Sequence, residues 1–168
     1  MTLCKGNAKH YQNIPCKNVY FCDMKLDDTY FMKLALKEAE KAEMEGEVPV
    51  GAVIVVGQKV IARAHNMTEK LNDVTAHAEM QAITSAANFL NGKYLLGCTL
   101  YVTMEPCVMC AGALTWSQLE RIVYGVSDPK RGFQQAAIKL HPKTTVTGGI
   151  MEADALKMLQ DFFLNKRK

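Results

Sequence analysis

Val50 to Val56 runs for seven residues without a polar side chain, and it limits the architecture of this chain more than any other feature. A strand with one wet face alternates apolar and polar residues, whereas a continuous apolar run is typical of a strand buried on both faces. Gly57-Gln58 then reads as a tight turn, and Lys59 to Ala64 as the paired strand of a hairpin. Before the run, Asp27 or Asp28 caps a helix that extends to about Glu45. Met32, Leu36, Ala39 and Glu43 share one side of it, Ala35 and Ala42 widen the apolar stripe, and Gly46 ends it.

Residues 65–74 are polar and loop-like. Thr75 or Asp73 opens a second helix, about Ala76 to Leu90. Cys98 to Thr103 is a third strand, and Pro106 starts a third helix that reaches about Trp116. Arg121 to Val126 is a fourth strand, and the stretch 127–143 is irregular, with Pro129, Gly132 and Pro142. Thr144 to Gly148 forms a fifth strand, and a last helix covers about Glu152 to Asn165 with Leu156, Leu159 and Phe163 on its inner face. Alternation of this kind predicts the α/β class, a mixed sheet with helices on both faces. A helix crosses between strands three and four, so those two should lie parallel.

A chain of 168 residues suits one domain with its own core. Residues 1–24 differ from the rest: they show no clear period and read as a loosely ordered extension of a domain at 25–168, or as carrying a short strand around Val19 to Cys22. Met24 fits a natural start, because a clean helix signal follows it. No run of about eighteen apolar residues spans a membrane. The polar breaks at Lys5, Lys9, His10, Gln12, Asn13, Lys17 and Asp23 exclude a signal peptide's apolar stretch, which points to the cytoplasm. In that reducing compartment the six cysteines are thiols or metal ligands rather than disulfides. The formal net charge of +3 neither demands nor opposes a nucleic-acid partner.

The chemistry concentrates in two short motifs, His77-Ala78-Glu79 and Pro106-Cys107-Val108-Met109-Cys110, each at the start of a predicted helix. Cysteines three apart share a helix face, and the positive helix N-terminus favours thiolate. Two thiolates and an imidazole suit zinc and leave its fourth position open, as in a catalytic site. Residues two apart on a helix point about 200° away from each other. His77 and Glu79 therefore converge on one ion only if His77 sits where the helix begins. A carboxylate there is placed to take a proton from water and pass it to a leaving group. Against this stand a bare redox Cys-x-x-Cys, and a structural zinc clip with Cys98 as fourth ligand. A zinc or RNA-binding module without catalysis is a further alternative, opposed by Glu79 and the open position.

These motifs resemble the cytidine deaminase-like superfamily and, within it, the bacterial tRNA-specific adenosine deaminases; the His-x-Glu and Pro-Cys-x-x-Cys pattern is the zinc-deaminase signature. The similarity spans about Asp27 to Arg167 and includes Glu47 to Ala52, Asp73 to Glu79, Leu100 to Ala113 and Asp161 to Phe163. It implies a three-layer α/β/α fold with a five-stranded mixed sheet, one Zn2+ per subunit on His77, Cys107 and Cys110, and Glu79 as proton shuttle. It further implies a homodimer acting on a tRNA anticodon loop at the wobble adenosine, or a deaminase of free guanine, cytosine or a nucleoside with the same chemistry.

By the same resemblance, Asn66 contacts the target nucleoside, Val50 and Ala78 line the base pocket, Asp128 lies beside the nucleic-acid groove, and Phe162 or Phe163 packs near the bound loop. Each has a plainer reading: Asn66 and Asp128 as turn residues, Val50 as strand core, Ala78 as a helix former, one phenylalanine as core. Lys130, Arg131, Lys139, Lys143, Lys166, Arg167 and Lys168 make a basic C-terminal surface, for RNA or simply solvated. Two departures stand out. The segment after Asp128 is shorter than in the typical tRNA enzyme, and Met104 replaces a usual leucine.

Overall fold

The computed structural model describes residues 26–167, so the readings for residues 1–24 and for Lys168 lie outside the described residues. Asp27 caps α1 (Asp28–Met44) by accepting the Tyr30 backbone N–H at 2.8 Å. The hairpin β1 (Gly51–Val56) and β2 (Lys59–His65) follows, then α2 (Ala78–Leu90), β3 (Cys98–Met104), α3 (Val108–Trp116), β4 (Arg121–Val126), β5 (Thr145–Thr147) and α4 (Glu152–Asn165). The five strands form one mixed sheet in the order β2-β1-β3-β4-β5. β1 pairs antiparallel with both β2 and β3, and β3, β4 and β5 run parallel.

The pleat sorts the core into two layers. Ala52, Ile54, Leu100, Val102 and Ile122 point to the face covered by Ala78, Ala82 and Ala86 of α2 and Leu114 of α3. Their neighbours Val53, Val55, Tyr101 and Val123 point to the other face, under Phe31, Met32 and Ala35 of α1. α4 joins that second layer through Ala155 and Leu159, which pack with Leu36 and Val126. β1 is therefore buried on both faces, as its sequence requires, at about 1.5–3 kcal/mol for each fully buried Val or Ile side chain. α1 approaches β1 so closely that a Cβ on Gly51 would sit 2.1 Å from the Ala35 carbonyl oxygen. Asp28 ties α1 to the sheet: Arg121 donates to it twice, at 2.8 and 2.7 Å, and the Tyr101 hydroxyl donates at 2.9 Å. Among the described residues, no helix is long and apolar enough to cross a membrane.

Three expectations shift. α2 begins at Ala78 rather than Ala76, and α3 at Val108 rather than Pro106. Asp73 accepts from the Thr75 backbone N–H and hydroxyl at 2.8 and 2.7 Å, so these residues close a turn of their own instead of capping α2. The inner face of α4 is Ala155, Leu159 and Phe162, while Leu156 and Phe163 are exposed. The small Ala155 lets the helix settle against β4, where a Cβ on Gly125 would lie 3.1 Å from that of Ala155.

Candidate active site

His77 and Cys107 occupy equivalent places. Each is the N-cap of its helix, extended in backbone (φ −67°, ψ 154° and φ −72°, ψ 172°), and neither makes a side-chain capping bond. Their carbonyls accept the first helical N–H groups, from Gln81 at 3.1 Å and Ala111 at 2.9 Å. The extended cap turns the His77 ring out of the helical progression, so it meets the side of the site that Glu79 faces from within α2. Cys110, one turn into α3, completes the group.

His77 Nδ1 lies 3.7 Å from Cys107 Sγ and 3.5 Å from Cys110 Sγ. A tetrahedral zinc with sulfur at about 2.3 Å and nitrogen at about 2.0–2.1 Å sets those atoms about 3.6 Å apart, so the three residues fit the ion. All three donor atoms lie within 4.8 Å of one another, and this is the His/Cys/Asp/Glu group of that kind found among the described residues. Cys98 is no fourth ligand: its buried thiol points to the Leu96 carbonyl, 3.7 Å away, and burial raises it above the ordinary thiol range.

Cys110 donates to Cys107, and with help from His77, against the cost of burial, this lowers the Cys107 thiol to about 4. The same contact, with burial and Glu79, pushes the Cys110 thiol up. His77 is raised, first by its bond to Cys107, with burial opposing and Glu79 adding to the rise. A bound dication would hold both sulfurs as thiolates. Glu79 is 4% exposed, and burial raises its carboxyl, although its own backbone N–H and His77 pull the other way. A carboxyl raised toward neutrality is suited to taking a proton and giving it back.

A cleft of about 290 Å³ opens over His77, Glu79 and Cys107. It lies at the small end of the range for ligand sites, so it admits a small molecule or one unit of a longer chain. Val48 and Val50 before and at the edge of β1, and Asn66 and Thr68 after β2, line it. Met104 and Glu105 at the end of β3, Asp128 and Arg131 after β4, and Leu159 and Phe163 of α4 line it too. The structure thus gathers Val50, Asn66, Asp128 and Phe163 around the metal-ligand group. It does not bring in the Ala78 side chain, which is fully buried in the core under α2. Phe162 is the core phenylalanine and Phe163 the one facing the cleft. Of the basic residues, Arg131 lines the cleft, and Lys130 and Arg167 line an exposed groove beside it, shared with Asp128 and Phe163.

Two residues without an expected role hold the walls in place. The buried carboxylate of Glu105 accepts the backbone N–H groups of Asp128 at 3.0 Å and Gln134 at 3.1 Å. Gly132 packs on it so closely that a Cβ there would fall 2.4 Å from Glu105 Cδ, and Phe133 donates to the Pro106 carbonyl at 3.0 Å. The loop after β4 is thereby docked onto the start of α3. Glu47 accepts from Asn66, Thr68 and Lys70, all after β2. The only sequence signal for either residue is an acid set beside apolar or proline positions; their partners lie 19 to 29 residues away in the chain.

Comparison with known proteins agrees with this geometry. Residues 25–126 match the model of the cytidine and deoxycytidylate deaminase zinc-binding region. The chain is 45% identical over 147 residues to the tRNA-specific adenosine deaminase of Bacillus subtilis, covering 84% of this chain and 91% of that one. It is 43% identical over 145 residues to the tRNA-specific adenosine deaminase of Agrobacterium fabrum, covering 83% and 95%. A solved structure from a study of A-to-I editing by tRNA:A34 deaminases at the wobble position of transfer RNA superposes with a TM-score of 0.72 at 44% identity, over 78% of this chain and 99% of that one.

Proposed function

The chain belongs to the cytidine and deoxycytidylate deaminase zinc-binding family, and from that premise we propose that it converts adenosine to inosine at the wobble position of a tRNA anticodon. The observation that carries the reading is Glu79, a buried carboxylate facing the cleft beside a three-residue metal site. A purely structural zinc clip has no use for such a group.

In this reading His77, Cys107 and Cys110 hold one Zn2+ per subunit. The bound ion supplies Lewis-acid polarisation of a water molecule, making it a nucleophile near neutral pH. Glu79 accepts the proton that water gives up and delivers it to N1 of adenine as the oxygen attacks C6. It then takes the proton of the new C6 hydroxyl and passes it to the departing amine, so that the C6–N bond breaks as the C6 carbonyl forms. Adenosine and water become inosine and ammonia, and Glu79 ends as it began.

The wobble base must leave its loop to reach so small a cleft, which is base flipping. Val50 packs against the base, Asn66 contacts the nucleoside, and Asp128 and Phe163 meet the flanking loop. Lys130, Arg131 and Arg167 at the cleft mouth are exposed and placed to meet phosphates. The assembly we propose is a cytoplasmic homodimer, with residues 25–168 as the deaminase domain.

Incubation of the zinc-loaded protein with unmodified tRNA, an anticodon stem-loop, free guanine, free cytosine and free nucleosides, with ammonia release measured, tests the reading. Deamination of the stem-loop at the wobble adenosine is expected. Activity on guanine alone would overturn the tRNA assignment.

A further inference from the structure

Glu47 is 1% exposed and lies outside both the metal-ligand group and the proton shuttle. Its carboxylate accepts from Asn66 Nδ2 at 3.0 Å, from the Thr68 hydroxyl at 3.1 Å and from the Lys70 backbone N–H at 2.8 Å. Burial alone would raise this carboxyl. The backbone N–H groups of Lys70 and Glu69 and the Thr68 hydroxyl outweigh it and hold the group below its ordinary value, so it is an anion. An ionised carboxylate can only accept hydrogen bonds. The Asn66 amide therefore has one orientation, with its nitrogen toward Glu47 and 3.1 Å from the Thr68 oxygen. Asn66 Oδ1 has no hydrogen-bond partner among the described residues. Asn66 and Thr68 both line the cleft.

We infer that Glu47 is a positioning residue for the cleft: it fixes the Asn66 amide so that the oxygen, and not the nitrogen, meets the substrate, and the site takes a hydrogen-bond donor at that point. The inference rests on the deaminase reading of the same cleft. Its mechanism is orientation. A free amide presents either edge, whereas an amide locked by a buried anion presents one, and a ligand offering an acceptor there leaves two unpaired polar groups.

A donor–acceptor swap tests it. Asn66→Asp sets two carboxylates against each other across 3.0 Å. Glu47→Gln cannot accept from Lys70 on one side and from Asn66 and Thr68 on the other without turning its own amide against one of them. The double variant Glu47→Gln/Asn66→Asp restores every bond in reverse: Gln accepts from Lys70, donates to Asp, and leaves an Asp oxygen facing the cleft.

Each single variant is expected to raise KM by about tenfold or more, with kcat within about threefold, and the double variant to return KM to within about threefold of wild type. Zinc content per chain should stay at one throughout. A double variant no better than the worse single overturns the inference, as does a single variant with wild-type KM. If a single variant fails to fold, the swap still decides, since a double variant that folds and binds like wild type supports the pairing and one that does not refutes it. Wild type on the anticodon stem-loop, guanine and adenosine tests the deaminase reading by itself, and the variants are run on whichever of these it deaminates. A wild type that deaminates none of them overturns both.

Discussion

The helix α1 starts with an aspartate whose side chain caps it; α2 and α3 start with a histidine and a cysteine that cap nothing. Asp27 satisfies an otherwise orphaned N–H, a contribution of about 1 kcal/mol to a helix that only supports the sheet. At α2 and α3 the same position is extended in backbone, and its side chain is turned toward the other helix's ligand. The cap residue is the first that can point away from the helical progression. It is therefore the place from which two helices can converge on one ion while Glu79, two residues on, faces the same space. The site forgoes the stabilisation of two caps and gains a metal centre.

The comparison breaks most visibly at Cys107. Serine is a good N-cap and a poor zinc ligand, so Cys107→Ser should lower zinc content well below one per chain and bring deamination to background. Metal-free Cys107→Ser should nevertheless melt no lower than metal-free wild type, because α3 gains the cap it lacked. Metal analysis and calorimetry on both forms check this; a marked loss of stability in the metal-free variant would mean that Cys107 packs rather than ligates. The reciprocal change at α1 is smaller. Asp27→Ala should cost about 1 kcal/mol, or about 3 °C in Tm for a domain of this size, with zinc content and kcat unchanged.

Smallest of all is the pH dependence at the next residue. The Arg121 hydrogen bond, with Tyr101 and the guanidinium's charge, lowers the Asp28 carboxyl below the ordinary aspartate value, against the opposing effect of burial. A lowered carboxyl stabilises the fold above its unfolded-state pKa, and that contribution is lost as pH falls through the folded value. The Tm advantage of wild type over Asp28→Asn should therefore be constant at neutral pH and disappear below the ordinary aspartate range. It should be modest throughout, because both partners are partly exposed, 27% and 32%.

The same contrast explains what the sequence made legible. α1 and α4 lie within a residue or so of their predicted limits, because a capping aspartate and apolar spacing act locally. The doubly buried β1 and the parallel β3–β4 pair follow from an apolar run and a crossover helix. His77 at the beginning of its helix was deducible from the angular mismatch with Glu79. α2 and α3 nevertheless begin two residues later than expected, since Asp73, Thr75 and Pro106 are good start signals put to other uses: a turn in one case, a docking point for Phe133 in the other. Glu47 and Glu105 stayed silent because a buried carboxylate takes its meaning from partners distant in the chain.

The central claim is that the α2 and α3 caps hold a metal so that Glu79 can move protons beside it. Glu79→Gln tests this most directly, since it keeps the size of the side chain and removes its capacity to carry a proton. Purified Glu79→Gln, assayed on the anticodon stem-loop with zinc measured on the same sample, should retain one zinc per chain and lose about 10²- to 10⁴-fold in kcat. Wild-type turnover with zinc retained would contradict the account.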